Sequence, residues 1–319
     1  MTKRAFPFII VFFLGQSFAM PKESFEQWRM SFELRALKEG VSQEILGLTF
    51  KNMIPDESII KKDENQWPPK DVDFGELMKI WLGPGEIGGL DRIEKGRELF
   101  KKHSALLHQI EKKYGVDRNI IVAIWGIESS YGEVNGVNNV IRSLATLAWE
   151  GRRRSFFEKE LLAALRILQE GHVGQDNFKG SWAGAFGQCQ FMPSNFFHYA
   201  QDGDGDGRKD LWGSLPDVFA SIAFYFKKAH WKRGLPVATL VWDLKKSGKM
   251  MPSKKVNLNI QGAPELILRK NARSVMRWNR SHVFVMKVQI LIDGLEGKRG
   301  PETSAQMRPT FIPNNIPLK

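Results

Sequence analysis

The chain has 319 residues, of which 42% are hydrophobic and 26% are charged, proportions that are ordinary for a soluble globular protein. Lysine and arginine outnumber aspartate and glutamate by 47 to 35, which gives a formal net charge of +12. This excess favours an anionic partner such as an acidic polymer, a membrane surface or a nucleic acid. Nucleic acid is disfavoured, because the sequence carries no helix-turn-helix, zinc-finger or RNA-binding motif. A single cysteine, Cys189, excludes an intramolecular disulfide.

The first nineteen residues have the order of an export signal. Lys3 and Arg4 precede an apolar run over residues 5–15, and residues 17–19, Ser-Phe-Ala, supply the small side chains that a signal peptidase requires. A membrane anchor is the alternative, but the run is too short to span a bilayer comfortably. No cysteine follows the predicted cleavage site, which argues against a lipid anchor there. We therefore expect an exported, soluble protein without a transmembrane segment.

Residues 20–115 are predicted to form an N-terminal helical domain. Apolar residues over 25–37 recur mostly at three- and four-residue spacing, and a second helix is predicted to begin at residues 41–42. The stretch 54–69 is polar and contains proline, which indicates a loop or linker. Helical periodicity returns over residues 90–114.

Residues 116–234 are predicted to form a compact helical core with functional loops, including amphipathic helices over 156–170 and 218–229. The next part of the chain, 235–273, is predicted to be a small β-element.

Two short strands are expected in that β-element, over 237–242 and 256–260. A strongly apolar pattern then predicts a C-terminal helical return over 274–300, and a loosely ordered tail is expected over 301–319. The predicted fold class is therefore mainly α (α+β).

One carboxylate stands out in the core. An uncharged stretch over residues 120–127 runs directly into Glu128, and Asp117 is placed to cap the start of the same helix. Glu128 is therefore predicted near the far end of a buried helix, where lost solvation raises the pKa of a carboxyl toward that of a usable general acid. The alternatives are a buried glutamate satisfied by a partner and a glutamate fraying into solvent.

A second segment, residues 180–194, is rich in glycine and other small residues, which allow close approach of a ligand to the backbone. Ser181 and Gln190 can donate and accept hydrogen bonds, as recognition of hydroxyl and amide groups requires. Tight helix packing would account for the same composition. Cys189 lies in this segment without an adjacent base, and we interpret it as a packing residue.

Together the two segments resemble the lytic murein transglycosylases of the membrane-bound B type, here in a soluble, non-lipidated form, a branch of the lysozyme-like superfamily. The resemblance covers roughly residues 25–293 and is densest over 116–234. It is carried by Gly126-Ile-Glu-Ser-Ser-Tyr-Gly132, Gly180-Ser-Trp-Ala-Gly-Ala-Phe-Gly187, Gln190-Phe-Met-Pro-Ser194, Tyr199-Ala200, the Asp-Gly loop, Trp212, Ser221-Ile-Ala-Phe-Tyr-Phe226 and Arg277-Trp-Asn-Arg-Ser281.

The resemblance implies cleavage of the β-1,4 bond between N-acetylmuramic acid and N-acetylglucosamine in peptidoglycan. Glu128 matches the family's catalytic acid, which protonates the glycosidic oxygen and then acts as base on the muramoyl 6-hydroxyl. That hydroxyl attacks the anomeric carbon and leaves a 1,6-anhydromuramoyl end. One carboxylate suffices because the substrate supplies its own nucleophile, whereas ordinary glycosidases use two.

The resemblance also implies a set of substrate-binding residues. By position they are Ser181, Gln190, Tyr225, Trp278 and Asn279. Trp278 departs from the family's tyrosine but keeps an aromatic face for sugar stacking, and Phe284 and Phe224 replace an expected tyrosine and asparagine. Arg152 and Arg153 are predicted to meet stem-peptide carboxylates, with a solvated basic turn as the alternative.

Two other functions compete with this interpretation. A two-carboxylate lysozyme would need a second acid, and Glu133 is the nearest in sequence, but five-residue spacing does not put both on one helical face. The other is a non-catalytic peptidoglycan-binding protein, against which the intact acid and its Ser181 and Gln190 neighbours argue.

The loop from Asp202 carries aspartates at positions one, three and five and glycine at six, like the start of a calcium-binding EF-hand loop. Gly213 occupies position twelve, where a bidentate glutamate is usual, and the resembling family closes its modified loop later. The predicted ligands of a structural Ca²⁺ are Asp202, Asp204, Asp206, the Arg208 carbonyl and Asp217. A metal-free turn is the alternative.

No organic cofactor is expected, because no phosphate-binding glycine loop or zinc-ligand spacing is present. With the export signal, we expect a periplasmic, monomeric enzyme, and the resemblance implies that its partner is the peptidoglycan glycan strand.

Overall fold

The structure is a computed structural model that describes residues 23–65, 73–82, 91–241 and 255–298. The predicted export signal and the predicted C-terminal tail lie outside the described residues. The described chain is mainly α-helical, which confirms the predicted fold class. Within these four ranges, no helix has both the length and the apolar character needed to cross a bilayer.

The described residues up to 114 form six helices. They are α1 Phe25–Lys38, α2 Gln43–Phe50, α3 Glu57–Glu64, α4 Phe74–Leu82, α5 Asp91–Lys102 and α6 Ser104–Tyr114. Serine side chains begin the first two: Ser24 accepts from the Gln27 amide in a capping box, and Ser42 accepts from the Ile45 amide. The predicted helices over 25–37 and from 41–42 are thus confirmed.

The predicted loop over 54–69 is wrong in its central part, because α3 occupies Glu57–Glu64. Asp56 caps this helix by accepting from the Ser58 amide, and Ile59 is buried in the core. The mostly polar composition of this stretch did not indicate the short helix α3, which buries one of its faces. The predicted helical pattern over 90–114 is likewise two helices, since α5 ends before His103 and α6 begins after it.

The central part of the chain builds the core around five helices and one two-residue strand pair. The helices are α7 Arg118–Ser129, α8 Val140–Glu150, α9 Arg154–Gln169, α10 Pro193–Tyr199 and α11 Leu215–Lys228, and the strands are β1 Asn138–Asn139 and β2 Lys179–Gly180. Helix α8 packs along α9, and α11 packs on α6 and α7. The predicted helices over 156–170 and 218–229 are confirmed as α9 and α11.

The described residues of the predicted β-element form an antiparallel sheet of order β3-β5-β4, with β3 Ala238–Val241, β4 Lys255–Val256 and β5 Glu265–Leu268. The strand predicted over 256–260 pairs only through Val256, and β5 was not predicted. β5 is the central strand and buries Leu266 and Ile267.

The C-terminal return is two helices, α12 Ala272–Trp278 and α13 His282–Leu295. Ser281 starts α13 by accepting from the Phe284 amide, which explains why the apolar pattern over 274–292 is interrupted. Helix α13 packs on α5 and α7, so it passes beside the helix that carries Glu128.

Candidate active site

Helix α7 places Glu128 one residue before its C-terminal end. The residues over 120–126 are buried, so the helix is embedded on nearly all sides. Asp117 stands at the N-cap position as predicted, but its carboxylate makes no capping bond. It accepts instead from the Trp231 indole at 2.8 Å and from the Gly234 amide at 3.0 Å.

The chain leaves α7 through three consecutive left-handed residues. The φ angles are 50° at Ser130, 62° at Tyr131 and 86° at Gly132, and side chains at the first two make this conformation costly. The turn folds Tyr131 back onto Gly126, where an added Cβ would lie 2.5 Å from the tyrosine ring. The Glu128 end of the helix is therefore held in one arrangement by close packing.

Arg92 from α5 secures the same helix end. Its guanidinium donates to the Gly126 carbonyl at 2.6 Å and to the Ser130 hydroxyl at 2.9 Å. The Tyr131 hydroxyl in turn donates to the Arg92 carbonyl at 2.7 Å. Arg92 was not predicted from the sequence, because nothing near it in the chain marks it as a partner of α7.

The Glu128 carboxyl is closely surrounded by protein, although the side chain keeps some exposure to solvent. Burial raises its pKa from 4.5 to about 7, while the hydrogen bond from Trp278 and the charge of Lys287 oppose that rise. The Trp278 indole N–H donates to Glu128 Oε1 at 2.7 Å. A carboxyl with this pKa can both release and accept a proton near neutral pH.

Lys287 from α13 is the cation whose charge lowers the pKa of Glu128. Burial, followed by the charge of Arg92, lowers its pKa from 10.5 to about 8, and Glu128 opposes that fall. Its ammonium lies 5.1 Å from the centroid of the Trp81 ring. Lys287 was not predicted either, since a lone lysine in an apolar helix carries no motif.

Aromatic rings fix the orientation of Trp278. It stacks on Phe226 with ring centroids 5.5 Å apart and meets Tyr225 edge-on at 4.6 Å. Phe191 contributes a third ring at 5.4 Å. The Tyr225 hydroxyl donates to the Arg277 carbonyl at 2.6 Å, and burial raises its pKa to about 12, so it stays neutral.

The glycine-rich segment forms a compact loop that is joined to the chain after α7 by the antiparallel pair β1 and β2. Ser181 closes a turn, since its amide donates to the Ala185 carbonyl at 2.7 Å and its hydroxyl accepts from the Ala185 amide at 3.1 Å. Gln190 adopts a φ of 48°, and its amide nitrogen donates to the Gly187 carbonyl at 2.9 Å.

Gln188 connects the two predicted segments directly. Its side-chain oxygen accepts from the Trp125 indole at 2.7 Å, and its amide nitrogen donates to the Trp212 carbonyl at 2.7 Å. A Cβ on Gly132 would lie 2.4 Å from the same oxygen. In the sequence this glutamine stands out only as a neighbour of Cys189, which is fully buried as a packing residue would be.

Four of the residues singled out from sequence have partners away from Glu128. Arg152 and Arg153 both bind Asp63 of α3, Arg153 at 2.7 Å, which favours a structural role over contact with stem-peptide carboxylates. Glu133 is exposed and pairs with Lys95, so it is not a second acid beside Glu128. Asn279 is exposed, and its side-chain oxygen accepts from the Ser281 amide at 3.0 Å.

The predicted metal loop brings carboxylate oxygens of Asp202, Asp204 and Asp217 within 4.8 Å of one another. Asp217, buried on α11, accepts from the Gly203 amide at 2.7 Å and thereby fixes the loop to the core. Asp206 is outside this group of three; its carboxylate accepts from the Arg208 amide at 2.8 Å.

The described fold is that of solved lytic transglycosylases with a lysozyme-like core. The family described as Transglycosylase SLT domain matches residues 24–293, and the chain belongs to that family.

Among its relatives, membrane-bound lytic murein transglycosylase B of Escherichia coli (strain K12) is 37% identical over 151 residues, or 47% of this chain. The match spans only 42% of that relative's length. SltB3 from Pseudomonas aeruginosa, solved in complex with NAG-anhNAM-pentapeptide, is 33% identical with a TM-score of 0.74, covering 86% of this chain and 80% of SltB3. Escherichia coli Slt35, solved in complex with calcium, shares the fold at 24% identity and a TM-score of 0.71, covering 85% of this chain and 93% of Slt35.

Proposed function

We propose that the chain is a periplasmic lytic transglycosylase that cleaves the bond between N-acetylmuramic acid and N-acetylglucosamine in peptidoglycan. Glu128 protonates the glycosidic oxygen and then removes the proton of the muramoyl 6-hydroxyl. As that oxygen bonds to the anomeric carbon, the glycosidic bond breaks and a 1,6-anhydromuramoyl end forms. No water is consumed, and Glu128 ends the cycle protonated.

The observation that carries this proposal is the single carboxyl at the end of α7. Burial raises its pKa to about 7, the hydrogen bond from Trp278 and the charge of Lys287 oppose that rise, and no carboxylate is among these causes. A hydrolase with two carboxylates would place the partner acid about 5–10 Å away, depending on its stereochemistry. Glu133, the nearest second acid in the sequence, is paired with Lys95.

Substrate-binding roles are proposed for Ser181, Gln190, Tyr225, Trp278 and Asn279. Support comes from Trp278, which donates to Glu128 and contacts the ring of Tyr225. The loop that carries Ser181 and Gln190 is attached to the chain that follows α7, through the β1–β2 pair and a hydrogen bond from the Gln190 side chain to the Asn135 carbonyl. Aromatic faces suit the apolar faces of sugars, and backbone and amide groups suit their hydroxyl and acetamido substituents.

The decisive experiment digests purified sacculi with wild-type protein and with Glu128→Gln, and weighs the released muropeptides by mass spectrometry. We expect anhydro products from the wild type and a loss of at least 1,000-fold in rate from the variant, since general acid–base catalysis contributes about 10²–10⁴-fold per proton transfer. Products heavier than the anhydro products by one water molecule would show that the protein is a hydrolase. Binding of sacculi without any release would assign a non-catalytic protein.

A structural calcium ion is proposed for the Asp202 loop, held by Asp202, Asp204 and Asp217, with Asp206 and the Arg208 carbonyl completing the set. The three clustered carboxylates supply hard oxygen ligands, the donor set that Ca²⁺ prefers. Bound calcium would neutralise their mutual repulsion and fasten the loop to α11. The protein is proposed to act as a monomer.

A further inference from the structure

Helix α13 carries a half-buried cation in an otherwise apolar stretch. Its sequence contains a single lysine, Lys287, and no arginine. The neighbours of that lysine in the helix, Met286 and Val288, are fully buried, and α13 packs on α7 and α5. Lys287 therefore belongs to a helix that lies against the one carrying Glu128.

An aromatic ring holds the side chain of Lys287. Its ammonium lies 5.1 Å from the centroid of the Trp81 ring, and the guanidinium of Arg92 lies 6.0 Å from the same centroid. The Trp81 indole nitrogen is buried without a hydrogen-bond acceptor among the described residues, so Trp81 contacts both cations through its ring. Arg92 is itself bonded to the Gly126 carbonyl and the Ser130 hydroxyl. The ring thus places Lys287 beside a cation that is bonded to the end of α7.

Lys287 has no structural partner that would account for its burial. Among the described residues it forms neither a hydrogen bond nor an ion pair. A cation that loses water without such a partner costs folding free energy. Burial, followed by the charge of Arg92, accordingly lowers the pKa of Lys287 to about 8, which leaves the amine mostly protonated at pH 7. A charge kept where it costs stability is typical of a functional site.

The charged groups around Lys287 leave it one favourable partner in the described structure. Arg92 on α5 opposes its charge, and Glu128 on α7 favours it. Arg97, also on α5, donates to a backbone carbonyl near the C-terminal end of α13, where Asp293 accepts a hydrogen bond from within the helix. Helix α12 and β3 also pack on α13, but the arginines of α12 are exposed and β3 carries no charged residue.

The separation between Lys287 and Glu128 suits proton transfer. No ion pair joins the two, whereas the Trp278 indole donates a hydrogen bond to Glu128. A direct ion pair would hold Glu128 as a carboxylate and so remove the acid. A cation at longer range stabilises the carboxylate less, because the Coulomb energy falls with distance. Glu128 can then be protonated before the reaction and stabilised as an anion once its proton has left.

We infer that Lys287 is a positioning residue of the reaction, whose ammonium stabilises the carboxylate of Glu128 as its proton passes to the glycosidic oxygen. This inference rests on the proposed function. The electrons of the broken glycosidic bond go to the oxygen that receives the proton, and Glu128 is left ionised. The proton of the muramoyl 6-hydroxyl then restores Glu128, while Lys287 keeps its own proton throughout.

The test measures kcat and KM on soluble glycan strands between pH 5 and pH 9 for Lys287→Met, which removes the charge, and for Lys287→Arg, which keeps it. Lys287→Met is expected to lower kcat about tenfold at pH 5 and to leave KM within about twofold, as loss of transition-state stabilisation predicts. The alkaline limb of kcat/KM should move upward by about half a pH unit, because the cation that lowers the pKa of Glu128 is gone. Lys287→Arg should recover both values.

Lys270→Met is the matched control, because it removes the charge of an exposed lysine that lies before α12. Its rates and pH profile are expected to equal those of the wild type. Melting temperatures check folding, and Lys287→Met is expected to melt no lower than the wild type, since an unpaired cation is replaced by an apolar side chain. Lys287→Gln repeats the measurement with a second neutral side chain if the methionine variant does not fold.

A kcat of Lys287→Met close to that of the wild type, or a lowered kcat with an unmoved limb, overturns the inference and leaves the proposed function intact. A rate loss that Lys287→Arg does not recover would show that the lysine serves only in packing, which overturns the inference as well. A wild type that releases no anhydro products overturns the proposed function, and this inference with it.

Discussion

At the residue scale, burial and the hydrogen bond from Trp278 act in opposite directions on the pKa of Glu128. An indole N–H can only donate a hydrogen bond, so it stabilises the ionised carboxylate more than the protonated acid. Burial acts in the opposite direction and is the larger influence, which leaves the pKa of Glu128 at about 7. The expected tyrosine at this position could also accept a hydrogen bond, which Trp278 cannot do.

The pH dependence of kcat/KM follows from that balance. In the proposed mechanism Glu128 must be protonated to act first as an acid, so kcat/KM is expected to fall as the pH rises through about 7, the pKa of Glu128. Trp278→Phe removes the donor and raises the pKa, which moves this limb upward by about one pH unit. Lys287 and Arg92 are present in both the wild type and the variant, so the difference between the two pH profiles reports the loss of the Trp278 donor. Initial rates on soluble glycan strands between pH 5 and pH 9 measure the shift.

Trp212→Phe is the control for this experiment. The Trp212 indole also donates a hydrogen bond, but to the Lys179 carbonyl at 3.2 Å rather than to Glu128. Its pH profile is expected to match that of the wild type. If Trp278→Phe lowered the rate equally at every pH, the tryptophan would serve only to shape the site.

Glu128 and its raised pKa could be predicted from the sequence, because a long uncharged run ending in one carboxylate indicates a buried helix that carries the carboxylate with it. Lys287 and Arg92 could not, since they act on α7 from α13 and α5. Each is an ordinary cation within its own helix. Their roles depend on how helices that are distant in the sequence pack together, and local periodicity does not indicate that packing.

At the element scale, Gly126 allows the chain to turn sharply after α7. Gly126→Ala would place a Cβ 2.5 Å from the Tyr131 ring, and relieving that overlap is expected to cost about 2 kcal/mol of unfolding free energy. Gly47→Ala is the matched control, because Gly47 lies in α2 with no atom near its added Cβ. The control is expected to gain about 0.5–1 kcal/mol from helix propensity. Urea denaturation of both variants measures the difference, and equal stability changes would contradict the packing argument.

The Asp202 loop offers a second prediction at this scale. Calcium at 100 times its dissociation constant is expected to stabilise the native state by about 2.7 kcal/mol and so to raise the melting temperature. Asp204→Ala removes one carboxylate of the cluster and should erase the response. Asp176→Ala, an exposed aspartate outside the loop, should retain it. Identical melting curves for the wild type with calcium and with a chelator would exclude a stabilising ion.

Prediction of the elements from sequence succeeded where apolar spacing was regular and failed where packing decided the outcome. Helices α1, α9 and α11 follow their three- and four-residue patterns. Helix α3 was missed because its sequence is mostly polar, and β5 because a three-residue apolar run does not separate strand from helix by itself.

At the scale of the whole molecule, the net charge of +12 predicts electrostatic attraction to peptidoglycan, whose stem peptides carry carboxylates. Binding of Glu128→Gln to sacculi should weaken as sodium chloride rises from 50 to 500 mM, because the Debye length falls from roughly 14 Å to 4 Å over that range. Binding to chitin, a related but uncharged polymer, should change little. Co-sedimentation at several salt concentrations measures both. Equal salt dependence on the two polymers would contradict an electrostatic contribution.

The fastening of the α7 end by Arg92 limits how far the protein can be shortened. Arg92 precedes the predicted core over 116–234, while Trp278 and Lys287 follow it. A fragment restricted to that core would retain Glu128. It would lose the hydrogen bonds from Arg92 to the end of α7, the indole donor Trp278 and the neighbouring cation Lys287. Under the proposed function, the smallest active unit therefore has to run from α5 through α13, and a fragment cut at the boundaries of the core is expected to be inactive.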